Sequence, residues 1–161
     1  MAGSEKDTEY MNMAIELAKQ AAADGEVPVG AVLVFDGKVA GVGRNRREKN
    51  KNALCHAEIE AIHEACSSLS GWRLHKGTLY VTLEPCPMCA GAALSARVKR
   101  IVYGAKDTST GALGSVLDLN CHYPLHKAEV EGGMMENECK QLLTDFFKDL
   151  RDKRKKPSDN N

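Results

Sequence analysis

The stretch Thr78-Leu-Tyr-Val-Thr-Leu-Glu-Pro-Cys-Pro-Met-Cys89 joins a predicted strand directly to a predicted helix. Thr78 to Leu83 is rich in β-branched and aromatic residues, which favours a strand. Pro87 to Ala96 is rich in small residues and begins with a proline, which the first turn of a helix tolerates. The chain therefore passes from strand to helix at Cys86, an arrangement typical of α/β folds.

A helix and a hairpin come earlier in the chain. Residues 10–23 place apolar side chains at helical spacing, which predicts the first helix. The apolar run Val29 to Phe35, the turn dipeptide Asp36-Gly37 and the alternating stretch Lys38 to Gly43 predict a β-hairpin. The helical period returns from His56 to Cys66, so a second helix is expected after the hairpin.

Two more strands and a closing helix follow the strand-to-helix junction. Val98 to Tyr103 and Glu129 to Glu131 are predicted as strands, and Met134 to Leu150 as a helix whose apolar residues, Phe147 among them, face inward. A hairpin followed by alternating helices and strands indicates the α/β class. We predict a three-layer α/β/α sandwich, in which a central mixed five-stranded sheet is flanked by helices.

The composition is that of one folded domain. The chain has 161 residues, of which 43% are hydrophobic and 27% charged, and this excludes a disordered chain, a collagen-like repeat and a coiled coil. We expect residues 1–150 to form one domain, and residues 151–161, which are basic and lack an apolar face, to form a flexible tail. The polar start and the short apolar runs predict neither export nor a membrane span, so a cytoplasmic protein is expected.

Two short motifs indicate metal chemistry. His56-Ala-Glu58 opens one predicted helix, and Cys86 and Cys89 open the next in the pattern Pro-Cys-x-x-Cys. Zinc accepts imidazole and thiolate ligands, and three protein ligands with one open position are typical of a catalytic site. His56, Cys86 and Cys89 are therefore the candidate zinc ligands. Glu58 is the candidate general base, because a zinc-bound water needs only a nearby carboxylate to take and return its proton.

This hypothesis imposes a geometric condition. Successive residues of a regular helix turn by about 100°, so His56 and Glu58 would point away from each other if both lay within it. His56 must therefore stand at or before the first turn. Each motif alone has a simpler interpretation, since a Cys-x-x-Cys pair can be a redox pair or chance and His-x-Glu carries little information. Together, in this order and each at a helix start, they favour metal-dependent catalysis.

With these motifs the chain resembles the tRNA adenosine deaminases, which convert the wobble adenosine of tRNA to inosine and belong to the cytidine-deaminase-like superfamily. Only the zinc motif is common to the superfamily, whereas the flanking segments resemble the tRNA-acting branch. These segments extend over nearly the whole chain and include Glu26-Val-Pro-Val-Gly-Ala31, Tyr103-Gly-Ala-Lys-Asp107, Thr110-Gly-Ala112 and Gly114-Ser115.

The resemblance implies a homodimer with one zinc per subunit, acting on an adenosine extruded from the anticodon stem-loop of tRNA, without a nucleotide cofactor or a membrane partner. Water activated by zinc attacks C6, while Glu58 passes a proton to N1 and assists the departure of ammonia. Asn45 is expected to touch the base or ribose, the Ala57 backbone N–H to bond the base at C6, and Asp107 to contact the neighbouring sugar. Seen alone, Asn45 is typical of a turn and Asp107 of a loop cap.

Charge is unevenly distributed despite the equal totals of 22 basic and 22 acidic residues. Residues 44–51 carry five basic side chains against one acidic, and residues 148–156 carry six against two. Such runs are often only solvated surface, but in a protein that resembles tRNA enzymes we expect them to contact phosphates. Ser109 stands where bacterial relatives often carry lysine, and Leu54-Cys55 replaces the usual pair before His56, placing a third thiol beside a candidate ligand.

Two other functions remain open from the sequence. A deaminase of a free base or nucleoside, such as guanine or cytosine, would share His56, Glu58, Cys86 and Cys89 but would need neither basic run. A non-catalytic zinc-binding partner subunit is the other alternative. The presence of Glu58 argues against it, because such subunits typically lose the proton-shuttling glutamate.

Overall fold

A computed structural model describes residues 3–156 and contains one five-stranded sheet. Its strands are β1 (Gly30–Phe35), β2 (Lys38–Arg44), β3 (Gly77–Leu83), β4 (Arg100–Ala105) and β5 (Glu129–Gly132), in the order β2-β1-β3-β4-β5. β1 is antiparallel to both β2 and β3, whereas β3, β4 and β5 run parallel. The predicted mixed sheet and its five strands are confirmed.

Helices cover both faces of the sheet. Those of the described residues are α1 (Glu5–Ala23), α2 (Arg47–Asn50), α3 (Ala57–Leu69), α4 (Pro87–Ser95), α5 (Leu119–His122) and α6 (Glu136–Lys155). α2 and α5 are single turns inside loops, and no pattern in the sequence predicts them. Within residues 3–156, no helix combines the length and the apolarity needed to cross a membrane.

The side chains of β1 alternate between the two faces of the sheet, and a separate layer of helices covers each face. Ala31 and Leu33 point into the core that α3 and α4 cover, whereas Val32 and Val34 point into the core that α1 and α6 cover. Successive side chains of a strand face opposite sides, so a strand that is apolar on both sides needs a helical layer on each. The predicted three-layer α/β/α sandwich is confirmed.

Two glycines of β2 allow α3 to lie directly on the strand. A Cβ atom on Gly43 would collide with the carbonyl oxygen of Ala57, and one on Gly41 with that of Ala61. Glu60 and Glu64 complete the contact, because they accept the backbone N–H groups of Arg44 and Val42 at 3.2 and 3.1 Å. The first turn of α3 is thereby held against the sheet.

The N-terminal helix begins earlier than predicted, at Glu5 instead of residue 10. Ser4 and Asp7 form a capping box: the Ser4 Oγ accepts the Asp7 N–H and the Asp7 Oδ2 accepts the Ser4 N–H, each at 3.1 Å. This reciprocal pair satisfies backbone donors that a helix start leaves unpaired. The first turn is therefore stable although it lacks an apolar stripe.

Asp7 also joins α1 to the sheet. Its carboxylate accepts hydrogen bonds from Arg100 at 2.8 and 3.0 Å and from the Tyr80 hydroxyl at 2.6 Å. Arg100 also pairs with Glu131 at 2.9 Å. The hydrogen bonds from Arg100 hold the pKa of Asp7 well below its usual range. This group, which we call the Asp7 cluster (Asp7, Tyr80, Arg100 and Glu131), connects α1 with β3, β4 and β5.

The closing helix is longer than predicted, because α6 continues past Leu150 to Lys155. Residues 151–155 are therefore helical, which corrects the boundary proposed for the tail. Lys and Arg are good helix formers, and their positive charges interact favourably with the C-terminal end of the helix dipole. Residues 157–161 lie outside the described residues, and flexibility there stays a prediction.

Candidate active site

The two predicted motifs occupy the starts of α3 and α4. His56 is the N-cap residue of α3, with an extended backbone at ψ 153°. Cys86 is the N-cap residue of α4, Pro87 is in its first turn, and Cys89 is buried one turn along. Because His56 precedes the helix, its side chain is free of the helical rotation that separates it from Glu58. The geometric condition on the His-x-Glu motif is met.

The three candidate ligands converge on one point. The Nδ1 atom of His56 lies 3.5 Å from the Cys89 Sγ and 3.7 Å from the Cys86 Sγ. Zn–S and Zn–N bonds of about 2.3 and 2.0 Å in a tetrahedron give nitrogen-to-sulfur edges of about 3.6 Å. The measured separations match this edge, so the residues fit a zinc ion. Three protein ligands leave one position of the tetrahedron free, which is the composition of a catalytic site.

Hydrogen bonds favour the thiolate form of Cys86. The hydrogen bond from the Cys89 thiol, supported by one from His56, lowers the pKa of Cys86 to about 4. The same interaction with Cys86, together with burial, raises the pKa of Cys89. Without metal one thiol therefore donates to the other, and binding of a metal releases the shared proton.

Glu58 lies in the first turn of α3 and is 4% exposed. Burial raises the pKa of its carboxyl to about 7, because the ionised form loses hydration there. Within residues 3–156 it forms no ion pair with a lysine or arginine. A carboxyl group poised near neutral pH both accepts and returns a proton readily, which suits a general acid and base.

A cleft of about 380 Å³ opens beside these residues. His56, Glu58 and Cys86 line it together with the three residues expected to bind substrate, namely Asn45, Ala57 and Asp107. Cys89 is buried beneath. The structure therefore brings all seven predicted site residues to one place, although they come from four separate segments of the chain.

Asn45 and Asp107 also serve the local backbone. The Asn45 amide donates to the Val27 carbonyl and accepts the Arg47 N–H, each at 3.2 Å. The Asp107 carboxylate accepts the N–H groups of Ser109 and Thr110 at 2.9 and 3.0 Å. The turn and loop-cap interpretations thus describe their present contacts, while their position on the cleft leaves them able to meet a ligand.

Several residues that line the cleft have no individual role predicted from the sequence, although Arg47 belongs to the basic run expected to contact phosphates. Val27, Val29 and Leu83 give the cleft apolar surface, and Arg47 and Lys106 add positive charge. Leu143 and Phe147 of α6 also line it, and Phe147 is 42% exposed. The prediction that Phe147 faces inward is therefore wrong. Leu143 and Phe147 continue the i, i+4 row that begins at the buried Cys139, so helical spacing alone does not separate them from the core.

Comparisons with known proteins agree with this geometry. The MafB19-like deaminase family model matches residues 5–151. The tRNA-specific adenosine deaminase of Bacillus subtilis (strain 168) is 47% identical over 151 residues, covering 93% of this chain and 94% of the relative. The enzyme of the same name from Haemophilus influenzae is 46% identical over 154 residues, covering 94% of this chain and 89% of the relative.

A solved structure has the same fold. It comes from work on A-to-I editing by tRNA:A34 deaminases at the wobble position, is 40% identical, and superposes with a TM-score of 0.78. The match covers 84% of this chain and 99% of the solved one. The chain belongs to the MafB19-like deaminase family, within the group that contains the tRNA-specific adenosine deaminases.

Proposed function

We propose that this protein deaminates the wobble adenosine in the anticodon loop of tRNA to inosine, by zinc-dependent hydrolysis. One observation carries the proposal: the His56, Cys86 and Cys89 donors converge beside the buried carboxyl of Glu58, at a cleft wide enough for a nucleoside. A tRNA-specific adenosine deaminase is 47% identical to this chain over 93% of its length, and this similarity favours adenosine in tRNA over a free base as the substrate.

In this proposal His56, Cys86 and Cys89 hold zinc. When bound, zinc lowers the pKa of a water molecule and so supplies a nucleophile at neutral pH. Glu58 accepts a proton from the attacking water and delivers it to N1 of the adenine ring as the C6–O bond forms. Glu58 then takes the remaining proton from the new hydroxyl group on C6 and delivers it to the amino group, which leaves C6 as ammonia. The carbon–nitrogen bond breaks and the C6 carbonyl of inosine remains.

Three further residues are assigned to binding the substrate. The Ala57 N–H belongs to the first turn of α3, where backbone donors have no partner within the helix, and we assign it a hydrogen bond at C6 of the base. Asn45 is assigned to the base or ribose and Asp107 to the sugar of a neighbouring nucleotide. All three line the cleft, as these roles require.

Basic side chains at the cleft and on α6 are proposed to contact phosphates. Arg47 and Lys106 line the cleft, and the last turn of α6 carries Lys153, Arg154 and Lys155. Each phosphate contact releases condensed counterions, so RNA affinity should fall steeply as salt rises. A tRNA substrate is also consistent with the expected cytoplasmic location.

We also propose that the protein is a homodimer. Val116, Leu117 and Leu125 are exposed apolar side chains of one segment, and Leu125 is 70% exposed. A second copy of the chain covering them would remove this apolar surface from water. Sedimentation velocity measures the mass directly, and a monomer at micromolar concentration would contradict the proposal.

The activity is tested on an anticodon stem-loop with adenosine at the wobble position. Zinc-loaded protein is incubated with this RNA and, in parallel, with free guanine, cytosine and adenosine. We expect inosine in the RNA and no ammonia from the free compounds. Ammonia from a free base alone would replace the substrate assignment by the free-base alternative, and no turnover with zinc bound would favour the non-catalytic subunit.

A further inference from the structure

Glu84 lines the cleft and is its most heavily hydrogen-bonded carboxylate, although no sequence motif marks it as a functional residue. Its side chain is buried, two residues before Cys86. Its Oε1 accepts the Asp107 N–H at 3.3 Å and the hydroxyl of Ser115. Its Oε2 accepts the N–H groups of Leu113 and Ser115 at 3.1 and 3.2 Å.

All four donors belong to one segment, which we call the 106–115 loop (residues 106–115). This loop forms one side of the cleft through its residues Lys106 to Thr110. Its backbone is braced from within by Asp107, which accepts the N–H groups of Ser109 and Thr110. The Glu84 side chain thus connects the 106–115 loop, through hydrogen bonds, to the segment just before α4.

The approach of the loop to Glu84 leaves no space for a further side chain. A Cβ atom on Gly111 would collide with the Glu84 Oε2 and with the Asp107 carbonyl oxygen. The Ala112 N–H also donates to the Pro85 carbonyl at 2.9 Å. Gly111 packs closely against Glu84, and Ala112 is hydrogen-bonded to Pro85. These contacts fix the distance between the loop and the start of α4.

We propose that Glu84 is a positioning residue, which fixes the 106–115 loop relative to Cys86 and thereby sets how tightly the cleft binds the nucleotide. It acts through the loop, because its own oxygens are occupied by Asp107, Leu113 and Ser115. The inference rests on the proposed function, since it assigns a binding role to one wall of the cleft that the function requires.

The role is tested with Glu84→Gln, which keeps the size of the side chain. Its amide presents N–H groups to backbone N–H donors, so at least one buried donor loses its partner. We expect KM for the stem-loop RNA to rise about tenfold while kcat stays within about twofold and zinc stays at one ion per chain. Amide hydrogens of residues 106–115 should exchange faster, a change that mass spectrometry localises.

Two further variants make the result specific. Ser115→Ala removes a single hydrogen bond, so KM should rise by about threefold, and this variant decides the matter if Glu84→Gln does not fold. Glu129→Gln is the matched control, because Glu129 is exposed on β5, and it should change neither KM nor exchange in the loop.

The outcomes separate this inference from the proposed function. The positioning role is overturned if folded Glu84→Gln has an unchanged KM and an unchanged rate of amide-hydrogen exchange in residues 106–115. A fall in kcat alone overturns it as well. If the wild-type protein fails to deaminate the RNA, the proposed function is wrong. The exchange measurement alone then decides whether Glu84 holds the loop.

Discussion

Two buried carboxylates on opposite sides of the sheet have opposite environments. Asp7, in the layer of α1 and α6, accepts hydrogen bonds from Arg100 and Tyr80, and its pKa is held well below the usual range. Glu58, in the layer of α3 and α4, has no such cation, and burial raises its pKa to about 7. The same chemical group is therefore paired with a cation on one side and has a pKa near neutral on the other, as the proposed proton transfer requires.

The protein tolerates the unfavourable arrangement at the cleft and not in the layer of α1 and α6. A buried ion that is paired and hydrogen-bonded keeps its charge in the folded protein, whereas one without a partner costs free energy until it is protonated or bound. Strongly perturbed carboxyls of the second kind concentrate at functional sites. The contrast between Asp7 and Glu58 is thus a physical argument for Glu58 as the reacting group, independent of its motif.

The largest effect is expected on turnover. Glu58→Ala removes the proton shuttle, so the deamination rate should fall by about 10³-fold or more while zinc stays bound. Cys86→Ala should lose both activity and zinc, because it removes a ligand. Inosine formation and the zinc content per chain distinguish the two. Normal turnover by Glu58→Ala would remove Glu58 from the mechanism.

The next largest effect is expected on the free energy of unfolding when Asp7 is replaced. Asp7→Asn leaves Arg100 with Glu131 as its remaining acidic partner, so the free energy of unfolding should fall by about 2 to 3 kcal/mol. Turnover per folded molecule should stay the same. Urea unfolding monitored by circular dichroism gives the stability. A loss of activity in the folded variant would contradict the separation between the two regions.

Replacing the Glu58 carboxylate by an amide should raise the free energy of unfolding, whereas the same replacement at Asp7 lowers it. In metal-free protein at pH 8, Glu58→Gln removes an ionised carboxylate from a buried position and should stabilise the fold by about 2 kcal/mol. Urea unfolding after chelation measures it, with Glu129→Gln as the exposed control. Destabilisation of the metal-free protein would show that Glu58 has a stabilising partner.

The smallest effects are differences in pH dependence. The folded-state pKa of Asp7 is lowered, so its contribution is fully present above its unfolded value near 3.8 and is lost as the pH falls through the folded one. The stability gap between wild type and Asp7→Asn should therefore narrow below about pH 4. The pKa of Glu58 is raised from 4.5 to about 7. The increase in the free energy of unfolding caused by Glu58→Gln should therefore be full above pH 7 and vanish below pH 4.5. Gaps that stay constant with pH would contradict both assignments.

The sequence predicted best those features that local patterns specify. The hairpin is found where Asp36 and Gly37 predict it, and both adopt positive φ there, as a two-residue turn of this kind requires. The convergence of His56, Cys86 and Cys89 could be predicted because the coordination chemistry of zinc allows few ligand sets. Their roles in catalysis stay predictions until activity is measured.

The features that the sequence did not reveal depend on partners far along the chain. Asp7 lies in the polar start of the sequence, and its hydrogen-bond partners Tyr80 and Arg100 are 73 and 93 residues away. Glu84 meets donors 23 to 31 residues later, at no spacing that a helix or strand would mark. The capping box of Ser4 and Asp7, by contrast, is a local signal that could have corrected the start of α1.

The Asp7 cluster has a consequence for how the chain folds during synthesis. Asp7 is made first, but Arg100 follows 93 residues later, which at 5 to 20 residues per second is a delay of roughly 5 to 20 s. Ribosome-arrested chains that end before Arg100 should therefore leave α1 open to proteases, and longer chains should protect it. Until β4 emerges from the ribosome, the Asp7 carboxylate has no cationic partner, so α1 is made well before the residue that pairs with its buried charge.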